Sequence, residues 1–155
     1  QERLKIVDSS PPGDPSSSPI GKIAKQYVQV LRHVRYKSIG INFKSLVPHE
    51  DPSTFIIEQF IKDGAWKDSP QPLENVTVRF SYGLQPSRRL NLTISQARKA
   101  GDGHRFLLLD ANFHCDCTQV PPIKEIQAEI DRARENWDLF IVQVERSLAL
   151  TEAIQ

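Results

Sequence analysis

The stretch Pro122-Ile-Lys-Glu-Ile-Gln-Ala-Glu-Ile-Asp-Arg-Ala-Arg-Glu-Asn-Trp-Asp-Leu-Phe-Ile-Val-Gln-Val-Glu-Arg-Ser-Leu-Ala-Leu150 frames the reading of the whole chain. Ile123, Ile126, Ile130, Ala133, Trp137, Phe140, Ile141, Val144 and Leu148 recur at steps of three and four, the period of one buried helical face. Lys124, Glu125, Gln127, Glu129, Asp131, Arg132, Arg134, Glu135, Asp138, Gln143, Glu145 and Arg146 fall between them and mark a solvated face. A single helix of this length would run about 43 Å. Such a stripe needs a broad apolar partner, and the alternating segments upstream supply one.

The strongest of those segments is Arg105–Cys117. Leu107, Leu109, Ala111, Phe113, Cys115 and Cys117 fall on one face of a strand, with Phe106, Leu108, Asp110, Asn112, His114 and Asp116 on the other. Pro121 and Pro122 stop it and start the long helix. Before it, Val76, Val78, Phe80 and Tyr82, then Leu90, Leu92 and Ile94, alternate with polar residues around a turn at 83–88, as in a β-hairpin. Lys37–Val47 alternates in the same way. Asp51-Pro52 starts a short helix carrying Phe55, Ile56, Phe60 and Ile61, which Gly64 ends.

Ile20, Ile23, Ala24, Tyr27, Val28, Leu31 and Val34 predict a further helix, with Arg32–Arg35 in its last turn, where cations suit the negative helix end. Leu4–Val7 reads as a short edge strand. Residues 9–19 form a Pro- and Ser-rich loop without regular structure. Gly21-Lys22 follows this loop, but Ser16 and Ile23 stand where a phosphate-binding loop needs Gly and Ser or Thr. The element order, with tight turns between strands, predicts one α+β domain over residues 1–155. Its form is a two-layer sandwich, a mostly antiparallel sheet covered on one face by amphipathic helices including the long C-terminal one.

The 155 residues suffice for one domain with a core, and 39% hydrophobic and 25% charged residues are ordinary for a globular chain. A net charge of +1 selects no polyanion partner. No apolar run reaches membrane-spanning length, so no membrane partner is expected. The opening Gln-Glu-Arg-Leu-Lys has no signal-peptide core, and a cytoplasmic setting is expected. Methionine is absent even at position 1, consistent with initiator removal or with a piece of a longer chain. Cys115 and Cys117, two apart on one strand, place their Cα atoms roughly 6.6–7 Å apart, at or beyond disulfide range. Buried thiols and no disulfide are expected.

Three functional classes fit these residues. Asp110, Asn112, His114 and Asp116 share a strand face and are the candidate metal or ligand set, with Arg79 and Arg89 as candidate anion-binding residues. A metal-dependent hydrolase would use them in that way. Same-face neighbours lie about 7 Å apart, so one strand seldom supplies two metal ligands. A solvated polar face explains the pattern equally, with Asp110 and Asp116 paired across strands to Arg79, Arg89 or Lys44. A nucleic-acid-binding sheet would use Arg79, Arg88, Arg89, Arg98, Lys99, His104 and Arg105, but Asp110 and Asp116 on the same face oppose phosphate. No nucleophile elbow, His-Glu-x-x-His or dinucleotide fingerprint is present, so no catalytic residue is assigned and no cofactor is expected. The reading that demands least is a non-catalytic binding or protein-interaction module, a possible homodimer, with Tyr36, Phe106 and Leu108 at the interface and an unidentified protein or small ligand as partner.

Phe106-Leu-Leu-Leu-Asp-Ala-Asn-Phe113, Ile123-Lys-Glu-Ile126 and Trp137-Asp-Leu-Phe140 together resemble the C-terminal half of a sporadically distributed family of uncharacterised bacterial proteins. Tyr36-Lys-Ser-Ile-Gly-Ile-Asn42 is similar to an earlier strand of that family, without its Arg. The resemblance implies the same element order and a bacterial cytoplasmic setting. It implies no activity, and Asn112 departs from a position that tends to be acidic there.

Overall fold

The computed structural model describes residues 4–9, 15–71, 73–99, 101, 103–118 and 122–148. The order is a 3₁₀ turn at Pro15–Ser17, α1 (Ile20–Val30), β1 (Ser38–Pro48), α2 (Pro52–Phe60) and a 3₁₀ turn at Ala65–Asp68. It continues with β2 (Thr77–Gln85), β3 (Arg88–Arg98), β4 (Arg105–Asp116), α3 (Ile123–Asp131) and α4 (Ala133–Ser147). The fold is α+β, with an antiparallel four-stranded sheet in the order β1-β4-β3-β2.

Backbone bonds set the register. His49 N donates to Arg105 O and Cys117 N to Lys37 O, so β1 and β4 run antiparallel with Asn42 opposite Asn112 and Lys44 opposite Asp110. Asp116 N donates to Ser87 O and Lys99 N to His104 O, which places Asn91 on β3 opposite Asn112 and Arg88 opposite Cys115. Gly101 (φ 99°) and Gly103 (φ 72°) take the left-handed backbone that the β3–β4 turn requires and that side chains resist.

The residues sort into two compact units, one of 1–41, 85–88 and 113–155, the other of 42–84 and 89–112. In the first, Val28, Ile126 and Ile130 form a buried cluster with Ala24, Tyr36, Ile39, Cys117 and Ile123 against it. Gly21 brings α1 close to α3: a Cβ there would stand 3.3 Å from Ile130 Cγ2. Lys25 on α1 also pairs with Asp131 on α3. In the second unit, Leu90, Leu92 and Ile94 of β3 and Leu107, Leu109 and Ala111 of β4 are buried almost completely, as period-two alternation predicts. Ile56 of α2 is fully buried, and ring contacts run His49–Phe55–Phe60–Phe80–Tyr82 at centroid separations of 5.0, 6.4, 5.6 and 6.3 Å.

Several expectations are corrected. The C-terminal segment is two helices, interrupted at Arg132 (φ −78°, ψ 5°) with neither Gly nor Pro present. Glu129, expected in water, is 1% exposed. Helix α1 ends at Val30, so Arg32–Arg35 follow the helix and do not occupy its last turn. Asp51 does cap α2, accepting from Thr54 N at 3.2 Å with Pro52 in the first turn. The helix stops at Phe60, before Gly64. Residues 4–9 form no strand. Pro15–Ser17 is a 3₁₀ turn within the expected irregular loop, whose residues 10–14 lie outside the described set. Ala65–Asp68 forms a further 3₁₀ turn, and Trp66, 37% exposed, donates Nε1–H to Lys62 O. Pro121, the expected strand stop, and residues 149–150 at the end of the helical stretch lie outside the described residues. Strand β2 extends through Gln85, leaving the hairpin turn at Pro86-Ser87.

Candidate functional site

The outward-facing row of the second unit is built by strand alternation. Ser81 on β2, Asn91 on β3, Asn112 on β4 and Asn42 on β1 each occupy the polar face of their strand, and the register aligns them. Ser81 Oγ donates to Asn91 Oδ1 at 2.8 Å, Asn91 Nδ2 to Asn112 Oδ1 at 3.4 Å, and Asn112 Nδ2 to Asn42 Oδ1 at 2.8 Å. The result is a head-to-tail chain of polar side chains crossing all four strands and ending on edge strand β1. Each amide is both donor and acceptor, so neighbours orient one another.

Beside this row Lys44 Nζ lies 2.9 Å from Asp110 Oδ2. In the same register Leu46, 57% exposed, stands opposite the half-buried Leu108, and Pro48 opposite the half-buried Phe106. The β1–β4 part of the face therefore grades from an amide pair through an ion pair to an apolar patch. Arg79 and Arg89 are exposed on the same face of β2 and β3. A shallow, open depression at the C-terminal end of β1 is lined by Pro48, His49, Glu50, Gly103, His104 and Arg105.

In the first unit, His114 Nε2 lies 2.9 Å from Asp116 Oδ1. An ionised carboxylate only accepts, so Nε2 carries the proton in this pair. The four residues singled out as a ligand set are thus engaged in separate interactions: Asp110 with Lys44, Asn112 with two asparagines, and His114 with Asp116. Among the described residues no three His, Cys, Asp or Glu side chains come together as a metal set. Tyr36 packs against the Val28–Ile126–Ile130 cluster and donates its hydroxyl to Leu31 O at 3.2 Å.

Sequence reasoning missed a second constellation, in the first unit. Arg88, 7% exposed, meets Glu129 and Asn136, each 1% exposed. Arg88 Nη2 donates to Glu129 Oε1 at 3.2 Å and to Asn136 Oδ1 at 3.0 Å, and Asn136 Nδ2 donates to Glu129 Oε1 at 3.2 Å. Arg88 Nε is 2.9 Å from Glu129 Oε2 with its N–H misaligned for a hydrogen bond, so that contact is electrostatic. Arg132 closes over the carboxylate from the helix break, Nη1 to Oε2 at 3.2 Å. Burial, with Glu129 adding to it, pushes the Cys115 thiol up, and burial pushes the Cys117 thiol up to about 11. Neither thiol is activated as a nucleophile. A signal was present: Glu129 and Asn136 fall within the helical stripe that runs Ile126, Ile130, Ala133, Trp137, Phe140. Polar residues at stripe positions need a buried partner.

No protein-family model, curated protein or solved structure matches the chain. No helix among the described residues is long and apolar enough to cross a membrane.

Proposed function

We propose that this chain is a non-catalytic protein-interaction module that presents the outward polar face of its sheet, with β1 at its edge, to a partner protein. The observation that carries the reading is the continuous Ser81–Asn91–Asn112–Asn42 row. It is a pre-ordered strip of donors and acceptors, and ordering done in the free protein need not be repeated on binding. The apolar pairs Leu46–Leu108 and Pro48–Phe106 at one end supply the desolvated contact that polar strips lack. A hydrolase would need Asp110, His114 and Asp116 as ligands of one centre, whereas Asp110 is paired with Lys44, and His114 and Asp116 are paired with each other. A cytoplasmic setting, and kinship with the bacterial family that the β4 and α4 segments resemble, belong to this proposal. So does the arrangement of the helices as a layer on one side of the sheet.

Thermal melting of the full chain with millimolar Zn²⁺, Mn²⁺ or Mg²⁺, and with heparin, tests this reading. A ligand that binds only the folded state raises the midpoint by mass action. The expected result is an unchanged midpoint in all four. A rise with one metal, abolished by Asp110→Asn or His114→Ala, would replace the proposal with a metal-dependent function.

A further inference from the structure

The two edges of the sheet are not equivalent. Strand β2 carries Arg79, exposed on the outward face and without an ion pair among the described residues. An unpaired charge on an edge strand guards it against pairing with another strand. Strand β1 has one charged residue, Lys44, and Asp110 of the neighbouring strand already neutralises it. Its eleven residues hold no internal proline, the only one being terminal Pro48. Its inward residues Ile39, Ile41, Phe43 and Val47 are only half-buried, whereas Leu107, Leu109 and Ala111 on the adjacent strand are at most 1% exposed. Leu46, on the outward side, is 57% exposed. Among the described residues, an edge whose charge is neutralised, that lacks an internal proline, and that carries Leu46 outward and a mainly apolar inward side is a template for one more strand.

The geometry points to a second copy of this chain as that strand, paired antiparallel β1 to β1 about a twofold axis. This inference rests on the interaction-module reading and names its partner. A twofold perpendicular to the sheet sets outward residues against outward residues and inward against inward, so the regular alternation of Ser38–Pro48 is complementary to itself. Full overlap places Phe43, the central residue, at the axis. Lys44 then faces Asn42 of the other copy, so the two lysines are not opposed. Leu46 faces Gly40, whose missing side chain leaves room for it. Each amide row ends at Asn42, which meets Lys44 of the other copy and lies diagonal to its Asn42, so the polar strip continues into a joint sheet. Because both strands are the same edge, the assembly closes at two copies and leaves the Arg79 edges outermost.

The test is light scattering coupled to size exclusion on the full chain at two concentrations, with hydrogen exchange of the β1 amides. The expected result is a dimer at the higher concentration, with β1 amides protected at least tenfold more than at the lower. Leu46→Lys, a substitution at an exposed position, should shift the dimer to monomer with an unchanged far-ultraviolet spectrum, while Arg79→Glu on the other edge should leave it intact. A wild-type monomer at both concentrations overturns the β1 pairing and leaves the binding reading to its own melting test. A dimer that survives Leu46→Lys but is lost in Phe106→Asp would move the contact from the edge to the face, ending this inference while preserving the module.

Discussion

The chain contains two polar networks of similar chemistry in opposite surroundings. Ser81, Asn91, Asn112 and Asn42 bond to one another in reach of water, while Arg88, Glu129 and Asn136 do so with almost no exposure. In the first, a lost side chain is replaced by water and little stability is at stake. In the second, each member's desolvation is compensated only by the others, so removing one strands the rest. Burial, more than bond count, separates a surface free to engage a partner from a fastening inside the fold.

The largest effect should come from breaking the buried network. Glu129→Leu leaves Arg88 charged and uncompensated, and is expected to cost about 3–5 kcal/mol in a urea titration. Replacing the whole set by apolar residues (Arg88→Met, Glu129→Leu and Asn136→Leu) should recover most of that loss. A single-variant cost below about 1 kcal/mol would show that water reaches the cluster, and the comparison would collapse.

Next in size is the chemistry of the buried side's thiols. With the Cys117 thiol pushed up to about 11, its thiolate population at pH 8 falls roughly two orders of magnitude below that of an ordinary thiol near 8.5. Alkylation by iodoacetamide in the folded protein should be slow to match, and should accelerate on unfolding in urea. The linkage has a definite sign. The folded value lies above the unfolded one, so the associated stability is complete below about pH 8.5 and declines as pH rises toward 11. Alkylation of Cys117 as fast in the folded as in the unfolded protein would contradict this.

A smaller effect is expected on the open row. Asn112→Ala removes the central amide and should cost no more than about 1 kcal/mol, because water replaces the lost bonds. A loss comparable to that of Glu129→Leu would mean that the row is part of the fold's fastening and is not free for a partner.

The smallest effect is local, at the α2 cap. Bonds from the Thr54 side chain and backbone lower the Asp51 carboxyl, and its exposure keeps the consequence modest. The folded value is depressed, so the cap's contribution is present above the ordinary Asp range and is lost as pH falls through the lowered value. The Thr54 amide resonance should report this titration, and Asp51→Asn should abolish it while retaining the cap.

The strands were legible because alternation is a local property. The apolar residues Leu107, Leu109, Ala111 and Phe113 of β4 are buried as read, and Asp51-Pro52 starts α2 as read, since a cap acts within one turn. The pairing of Asp110 with Lys44 was among the partners that cross-strand reasoning offered. The alignment of Ser81, Asn91, Asn112 and Asn42 was not legible, because each strand's register depends on turns and hydrogen bonds outside that strand.

The sharpest division falls within the C-terminal segment itself. Its residues alone determine that it is helical and amphipathic, through a period of three and four that any helix must honour. That Glu129 and Asn136 within it are buried rather than solvated depends on Arg88, more than forty positions earlier in the chain, whose guanidinium bonds to both while they bond to each other, at 3.0–3.2 Å. Local sequence specifies which residues prefer a helix, and only the tertiary structure decides which of that helix's polar residues are buried, because a buried charge must be neutralised where it lies.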